Sequence, residues 1–149
     1  MEYKQEFLCS VIDDIKPLVQ SDWNEIEHQK DKRPLDPDWE AYADFEAQGA
    51  LKIFTARHNG LLVGYISCFL HPDLHSKGLV SASFEILFVH KGHRNGVVGP
   101  KLIRFAENCV RKDGADFCFV TTTHRNAAAN FMQRLGYNAI ETKLEKALN

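Results

Sequence analysis

The stretch from Ser83 to Ala106, SFEILFVHKGHRNGVVGPKLIRFA, limits what this chain can fold into more than any other. Phe84, Ile86, Leu87, Phe88 and Val89 form an apolar and aromatic run that reads as a buried strand. A basic loop follows, with glycines at 92, 96 and 99. From about Pro100 the apolar residues fall at Leu102, Ile103, Ala106, Cys109 and Val110, the spacing of one helix face. A strand that feeds a glycine loop opening a helix is suited to an anion. The first amides of the helix have no partner within it, and the helix dipole is positive there. Gly96 and Gly99 keep side chains out of the way, Arg94 adds a fixed positive charge, and Pro100 fits a first turn that needs no donor.

Two common phosphate motifs are excluded. There is no G-K-[ST], and the glycines at 92, 96 and 99 miss the G-x-G-x-x-G spacing. A chain of 149 residues implies a single domain, residues 1–149, with room for a core. Net charge of −2 argues against a nucleic-acid partner, and no apolar run approaches the length of a membrane span. Charge is segregated along the chain. Residues 1–50 hold 5 basic and 13 acidic groups, and residues 51–149 hold 13 basic and 7 acidic. The second half therefore suits an anionic ligand and the first a cationic one. Cys9, Cys68, Cys109 and Cys118 lack C-x-x-C spacing and read as thiols in a reducing compartment. With no basic-then-apolar leader, a cytoplasmic location is expected.

Taken in order, residues 3–10 predict a first strand. Asp13 and Asp14 then lead a helix carrying Ile15, Leu18, Val19, Trp23 and Ile26. Residues 28–38 are a polar loop with Pro34 and Pro37, and Asp38 caps a second helix to about Gln48, stopped by Gly49. Strands are predicted at 51–57, 61–70 and 79–89, with the turn His58-Asn59-Gly60 between the first two. After the loop and helix, residues 116–122 predict a strand, 125–135 a short helix ended by Gly136, and 137–144 a last strand. The order β-α-α-β-β-β-α-β-α-β gives an α/β (α+β) chain with a mixed, mostly antiparallel sheet flanked by helices.

Arg94-Asn95-Gly96-Val97-Val98-Gly99 followed by Leu102 resembles the R-x-x-G-x-G/A motif of the GCN5-related N-acetyltransferases (GNAT). Arg94 and Gly99 fall on the motif's Arg and second Gly, while Val97 stands where the first Gly is usual. Leu135-Gly136-Tyr137 is similar to that family's leucine-glycine-aromatic helix ending. The likeness is nearest to small acetyltransferases of phage and prophage type. It implies the acyl-CoA N-acyltransferase fold and acetyl-CoA as co-substrate, its acetyl group passing to a primary amine by direct attack in a ternary complex. By this resemblance the backbone of Leu87, Phe88 and Val89 pairs with the pantetheine arm. The amides of Asn95, Gly96, Val97, Val98 and Gly99 hold the pyrophosphate, with Arg94 beside them, and Asn126 contacts the arm.

Glu85 is the candidate base. It is the only acidic residue between Asp73 and Glu107, and burial of a carboxylate needs a reason. Two readings stand: a base on the face of Leu87 and Val89, or a carboxylate facing solvent. The acid is open. The family's usual Tyr position holds Met132, which cannot donate, leaving Tyr137, His124, Asn126 or water. No metal site is expected: Pro72 breaks the His71/His75 pair, and His90 and His93 edge the loop. His71 and His75 read as loop residues, Trp23 and Trp39 as packing residues, and residues 28–38 as connector. The acceptor is a small-molecule or protein amine, and a homodimer is left open. The competing class is a catalytically weak protein of this fold that serves as a CoA-binding or protein-interaction module, a reading kept alive by Val97 and Met132.

Overall fold

The computed structural model describes residues 1–27, 29, 31–123 and 127–149. In order these form β1 (Glu2–Glu6), α1 (Leu8–Ile26), α2 (Trp39–Ala47), β2 (Leu51–His58), β3 (Leu61–Pro72) and β4 (Val80–Val89). A single 3-10 turn, Lys91–His93, leads to α3 (Val98–Lys112), β5 (Phe117–Val120) and α4 (Ala128–Arg134). The sheet has five strands in the order β1-β2-β3-β4-β5. Its pairs are antiparallel except β4 with β5, which is parallel. Asn59 and Gly60, both at positive φ, close the β2–β3 hairpin as the sequence predicts.

Alternation along the strands builds two apolar layers. On one face Phe54, Ile66, Ala82 and Phe84 meet the stripe Val98, Leu102, Ile103, Ala106 and Val110 of α3, with Met132 of α4. On the other face Ile53, Tyr65 and Phe88 meet Leu8, Val11 and Ile15 of α1, with Trp39 and Tyr42 of α2 at the margin. Each fully buried Leu or Ile contributes about 1.5–3 kcal/mol. Gly64 is required by packing, since a Cβ there would lie 3.0 Å from the Phe88 carbonyl oxygen.

Two sequence expectations are corrected. First, β1 ends at Glu6 and α1 begins at Leu8, well before Asp13 and Asp14. No side chain at its N-cap, Phe7, closes the helix. Instead Glu46 of α2 accepts the Leu8 amide at 2.8 Å, a cap supplied from 38 residues away. Second, residues 137–149 form no strand. Gly136, at φ +99°, turns the chain. Glu145 then draws the tail toward Arg33 and Gln29, each at 2.6 Å, leaving Ile140, Leu144 and Leu148 exposed. Asp38 caps α2 as expected, accepting the Ala41 amide at 2.9 Å. No helix among the described residues is long and apolar enough to cross a membrane.

Arg57 locks the N-terminal layer to the sheet. Its guanidinium donates to Glu6 of β1 at 2.9 Å, to Asp14 of α1 at 2.8 Å and to the Gly60 carbonyl at 2.9 Å. Burial works to raise the Glu6 carboxyl, but hydrogen bonds from Arg57 and Thr55 outweigh it and hold the group below its ordinary value. A pKa lower in the folded than in the unfolded state gives stability that is full above the unfolded value. That stability is lost as pH falls through the folded one. Arg57→Met should therefore cost about 1.5–3 kcal/mol in urea unfolding at neutral pH. The gap from wild type should narrow below about pH 4; a gap of equal size at both pH values would contradict this assignment.

Candidate active site

The site begins with a fault in β4. Ser67 of β3 pairs with Ile86, but its neighbour Cys68 pairs with Phe84, so Glu85 has no partner and forms a bulge. The bulge breaks alternation. Glu85 and Ile86 both open toward the α1–α2 face, into the same cavity, rather than Glu85 sharing a face with Leu87 and Val89. Of the two readings of Glu85, the one that put it on the face of Leu87 and Val89 is corrected: its side chain is exposed, at the wall of an open cleft. The parallel ladder with β5 also stops here, its last pair being Phe84 with Val120. Beyond that point residues 85–89 have β3 on one side and, among the described residues, no strand on the other. That edge leaves Leu87, Phe88 and Val89 beside a slot.

From this edge the chain runs directly into the glycine loop. Val97 is the N-cap of α3 and supplies no capping side chain. Among the described residues the amides of Asn95, Gly96, Val97, Val98 and Gly99 have no hydrogen-bond acceptor in the protein. Gly96 opens onto free space, and Gly99 packs near Phe131 and Val89. Five such amides at one helix start suit anionic oxygens.

Arg94 is committed elsewhere. Its Nε donates to the Val89 carbonyl at 2.6 Å, and its two terminal nitrogens grip Glu25 of α1 at 3.0 and 3.1 Å. The guanidinium also lies 5.6 Å from the Phe88 ring centroid. Glu25 is held below its ordinary carboxylate value chiefly by the Arg94 hydrogen bond. Arg94 thus fastens the end of β4 and the start of the loop to α1.

On the opposite side of β4 from α3 lies a cavity of about 470 Å³. One helical face of α1 lines it through Leu8, Ile15, Val19, Asp22, Trp23 and Ile26. Trp39 and Tyr42 come from α2, Ile53, Tyr65 and Ser67 from the sheet, and Glu85 from the bulge. Residues 33–37, read from sequence as connector, form a further wall. Trp23 and Trp39 are thus cavity residues, with Trp39 also packing on the core as expected. Sequence periodicity could not show this, because the same stripe serves both core and cavity.

Tyr137 and Glu85 are not brought together. Tyr137 packs with α3 and α4 on the other face of the sheet. Its hydroxyl donates to Glu107 at 2.6 Å and lies 3.5 Å from the Cys118 sulfur. Burial, then these two neighbours, push its pKa up. Met132, at the usual Tyr position, is buried in the core. Asn126 and His124 lie outside the described residues. His71 bonds Ser83 at 3.1 Å, and neither it nor His75 lines the cavity. Burial raises the thiols of Cys68 and Cys118, to about 12 and about 11, so both remain protonated and poorly nucleophilic at neutral pH.

Comparison with known proteins follows the same lines. The family model described as the acetyltransferase (GNAT) family matches residues 12–137. Among solved structures, an aminoglycoside acetyltransferase from an uncultured soil metagenomic sample, in complex with sisomicin, superposes with a TM-score of 0.78. The two are 16% identical, over 99% of this chain and 96% of the other. A ribosomal-protein-alanine N-acetyltransferase from Brucella melitensis gives 0.73 at 16% identity, over 99% of each chain. An aminoglycoside N-acetyltransferase, AAC(6')-Iy, in complex with CoA, gives 0.74 at 16% identity, again over 99% of each. No curated protein matches the sequence.

Proposed function

The chain belongs to the GNAT acetyltransferase family, and from that premise we propose that it transfers the acetyl group of acetyl-CoA to a primary amine by direct attack within a ternary complex. One observation carries the reading. The bulge at Glu85 stands where the β4–β5 ladder ends, so an open strand edge and the acceptor cavity meet at a single carboxylate.

The residues fit such a carrier. The edge of Leu87, Phe88 and Val89 offers main-chain groups to an extended arm, as an added strand would take them, apart from the Val89 carbonyl that Arg94 holds. The free amides of residues 95–99 suit a pyrophosphate at the α3 dipole. Acetyl-CoA supplies an activated thioester. The chain supplies position and a base. Glu85, open to water and without an ion-pair partner among the described residues, takes the proton that an ammonium must lose before its nitrogen can attack. Cavity walls confine that nitrogen on the far side of β4 from α3. Arg94 serves by holding the loop, through Val89 and Glu25, in the shape that presents its amides. The protonated Cys68 and Cys118 favour direct attack over an acyl-enzyme.

Calorimetric titration should show acetyl-CoA and CoA binding to the wild type, and thiol release should appear with a panel of amines. Absence of both would remove the proposal. Glu85→Gln should retain acetyl-CoA affinity while turnover falls by about 10²–10⁴-fold; an unchanged rate across the pH range would take Glu85 out of this role. Arg94→Ala should weaken acetyl-CoA binding by about 1–3 kcal/mol. Glu25→Gln should weaken it in the same direction, because both loosen the loop. A gain of affinity in Glu25→Gln would instead mean that Glu25 holds Arg94 back from the phosphates. Tyr137→Phe should lower stability by about 1–2 kcal/mol and leave turnover intact; a collapse of turnover in a folded variant would restore it as a candidate acid.

A further inference from the structure

The cavity has two polar ends. Glu85 and the adjoining Tyr42 mark one, at the bulge. Asp22 marks the other. It acts on the Tyr65 hydroxyl and feels Glu25 and Arg94, the pair that sits against Phe88 and the end of β4. Three residues of strand separate Glu85 from Phe88, about 10 Å of rise. Glu85 and Asp22 are therefore spaced along one cleft, with a third carboxylate, Asp36, on the wall formed by residues 33–37.

Each end is prepared for a ligand. Tyr65 is 1% exposed, and its hydroxyl, in the cavity wall, has no hydrogen-bond partner among the described residues. Ser67, two residues along the same face, is 5% exposed, and its hydroxyl is likewise without a partner among the described residues. Buried hydroxyls left unpaired cost free energy that a bound donor would recover. The Asp22 carboxylate has no hydrogen-bond or ion-pair partner among the described residues; Arg94 directs three of its five N–H donors to Glu25 and Val89. Burial, then Glu25, push its carboxyl up to about 6 against the pull of Arg94; the group is still mostly ionised at neutral pH, and an incoming cation would draw its pKa back down. Among the described residues the one cation in the wall, Arg33, is tied to Glu145 at 2.6 Å and lies 3.6 Å from Glu27.

Between these ends the walls are apolar. Leu8, Ile15, Val19 and Ile53 offer no hydrogen bonds, while Trp23 and Trp39 offer aromatic surface. A hydroxyl-rich ring would lose hydration against the aliphatic walls, whereas a methylene chain would gain. An ammonium would also be attracted to the aromatic faces. We propose that the acceptor is a linear aliphatic diamine or polyamine, with one amine delivered to Glu85 and a second, as ammonium, held by Asp22 beside Tyr65. This inference rests on the acetyltransferase reading and names the substrate class for the same site.

The test is a calorimetric titration of the CoA-loaded protein with 1,4-diaminobutane, longer α,ω-diamines, butylamine and an amino sugar. A diamine of matching length should bind at least tenfold more tightly than butylamine and than the amino sugar. Asp22→Asn should reduce diamine affinity to the butylamine level and leave butylamine affinity unchanged. Asp22→Glu, which keeps the charge, should restore part of the preference and guards against a folding defect in the amide variant. Equal affinities for diamine and monoamine, a preference that survives Asp22→Asn, or tighter binding of the amino sugar would each overturn the inference. Thiol release with the same amines keeps the two claims apart. Turnover without diamine preference refutes only the substrate class. Diamine binding through Asp22 without turnover with any amine refutes the transferase reading and leaves the cation site standing.

Discussion

The parting of β4 from β5 beyond Phe84 is the constraint on which the rest of the site depends. A strand edge inside a sheet ordinarily has both rows of main-chain groups paired, and an open row must find other partners. Here residues 85–89 keep β3 on one side and turn the other toward the start of α3. The bulge at Glu85 marks the place where this happens and rotates a carboxylate through the sheet onto the opposite face. One local irregularity thereby joins a slot suited to an extended acyl carrier to a cavity suited to an amine.

Two ion-pair systems hold the α1 layer in place on either side of that cavity. Arg57 ties α1 to β1 and β2 through Asp14 and Glu6. Arg94 ties the far part of α1, at Glu25, to the end of β4 and the glycine loop. Since α1 also supplies Asp22 and Trp23 to the cavity wall, the anion seat and the acceptor cavity share one mechanical support. The same α1 carries Pro17 in its interior, whose missing amide costs the helix a bond, and packing of Leu8, Val11 and Ile15 on the sheet sustains it. The sequence segregation of charge has a partial physical counterpart here: of the three acids that line the cavity, Asp22 and Asp36 come from the first fifty residues and Glu85 from β4, while the anion seat comes from the basic half.

Much of this was legible in the sequence because it depends on local spacing. The apolar period of α3, the β4 run before it and the glycine loop between them are short-range patterns, and they sufficed to identify the family-like core. The same holds for the Asn59-Gly60 turn and the Asp38 cap. What was not legible depends on partners distant in sequence. The early start of α1 relies on Glu46, which no local cap signal reveals. The face of Glu85 is set by a bulge against Ser67 and Cys68, so strict alternation assigned it wrongly. Arg94 reads as a phosphate ligand until Glu25, 69 residues away, is seen to hold it. Tyr137 reads as a proton donor until Glu107 and Cys118 are found around its hydroxyl. The wall formed by residues 33–37 has a loop composition that says nothing of what it covers.

The central claim is that the open edge of β4 and the bare amides after it are one continuous binding surface for acetyl-CoA. Residue-resolved amide hydrogen exchange, with and without saturating acetyl-CoA, tests it most directly. The account predicts slowed exchange in two linked segments, residues 87–89 and residues 95–99, with little change in β1 or β2. Protection confined to other segments, or no protection at all at saturating acetyl-CoA, would contradict it.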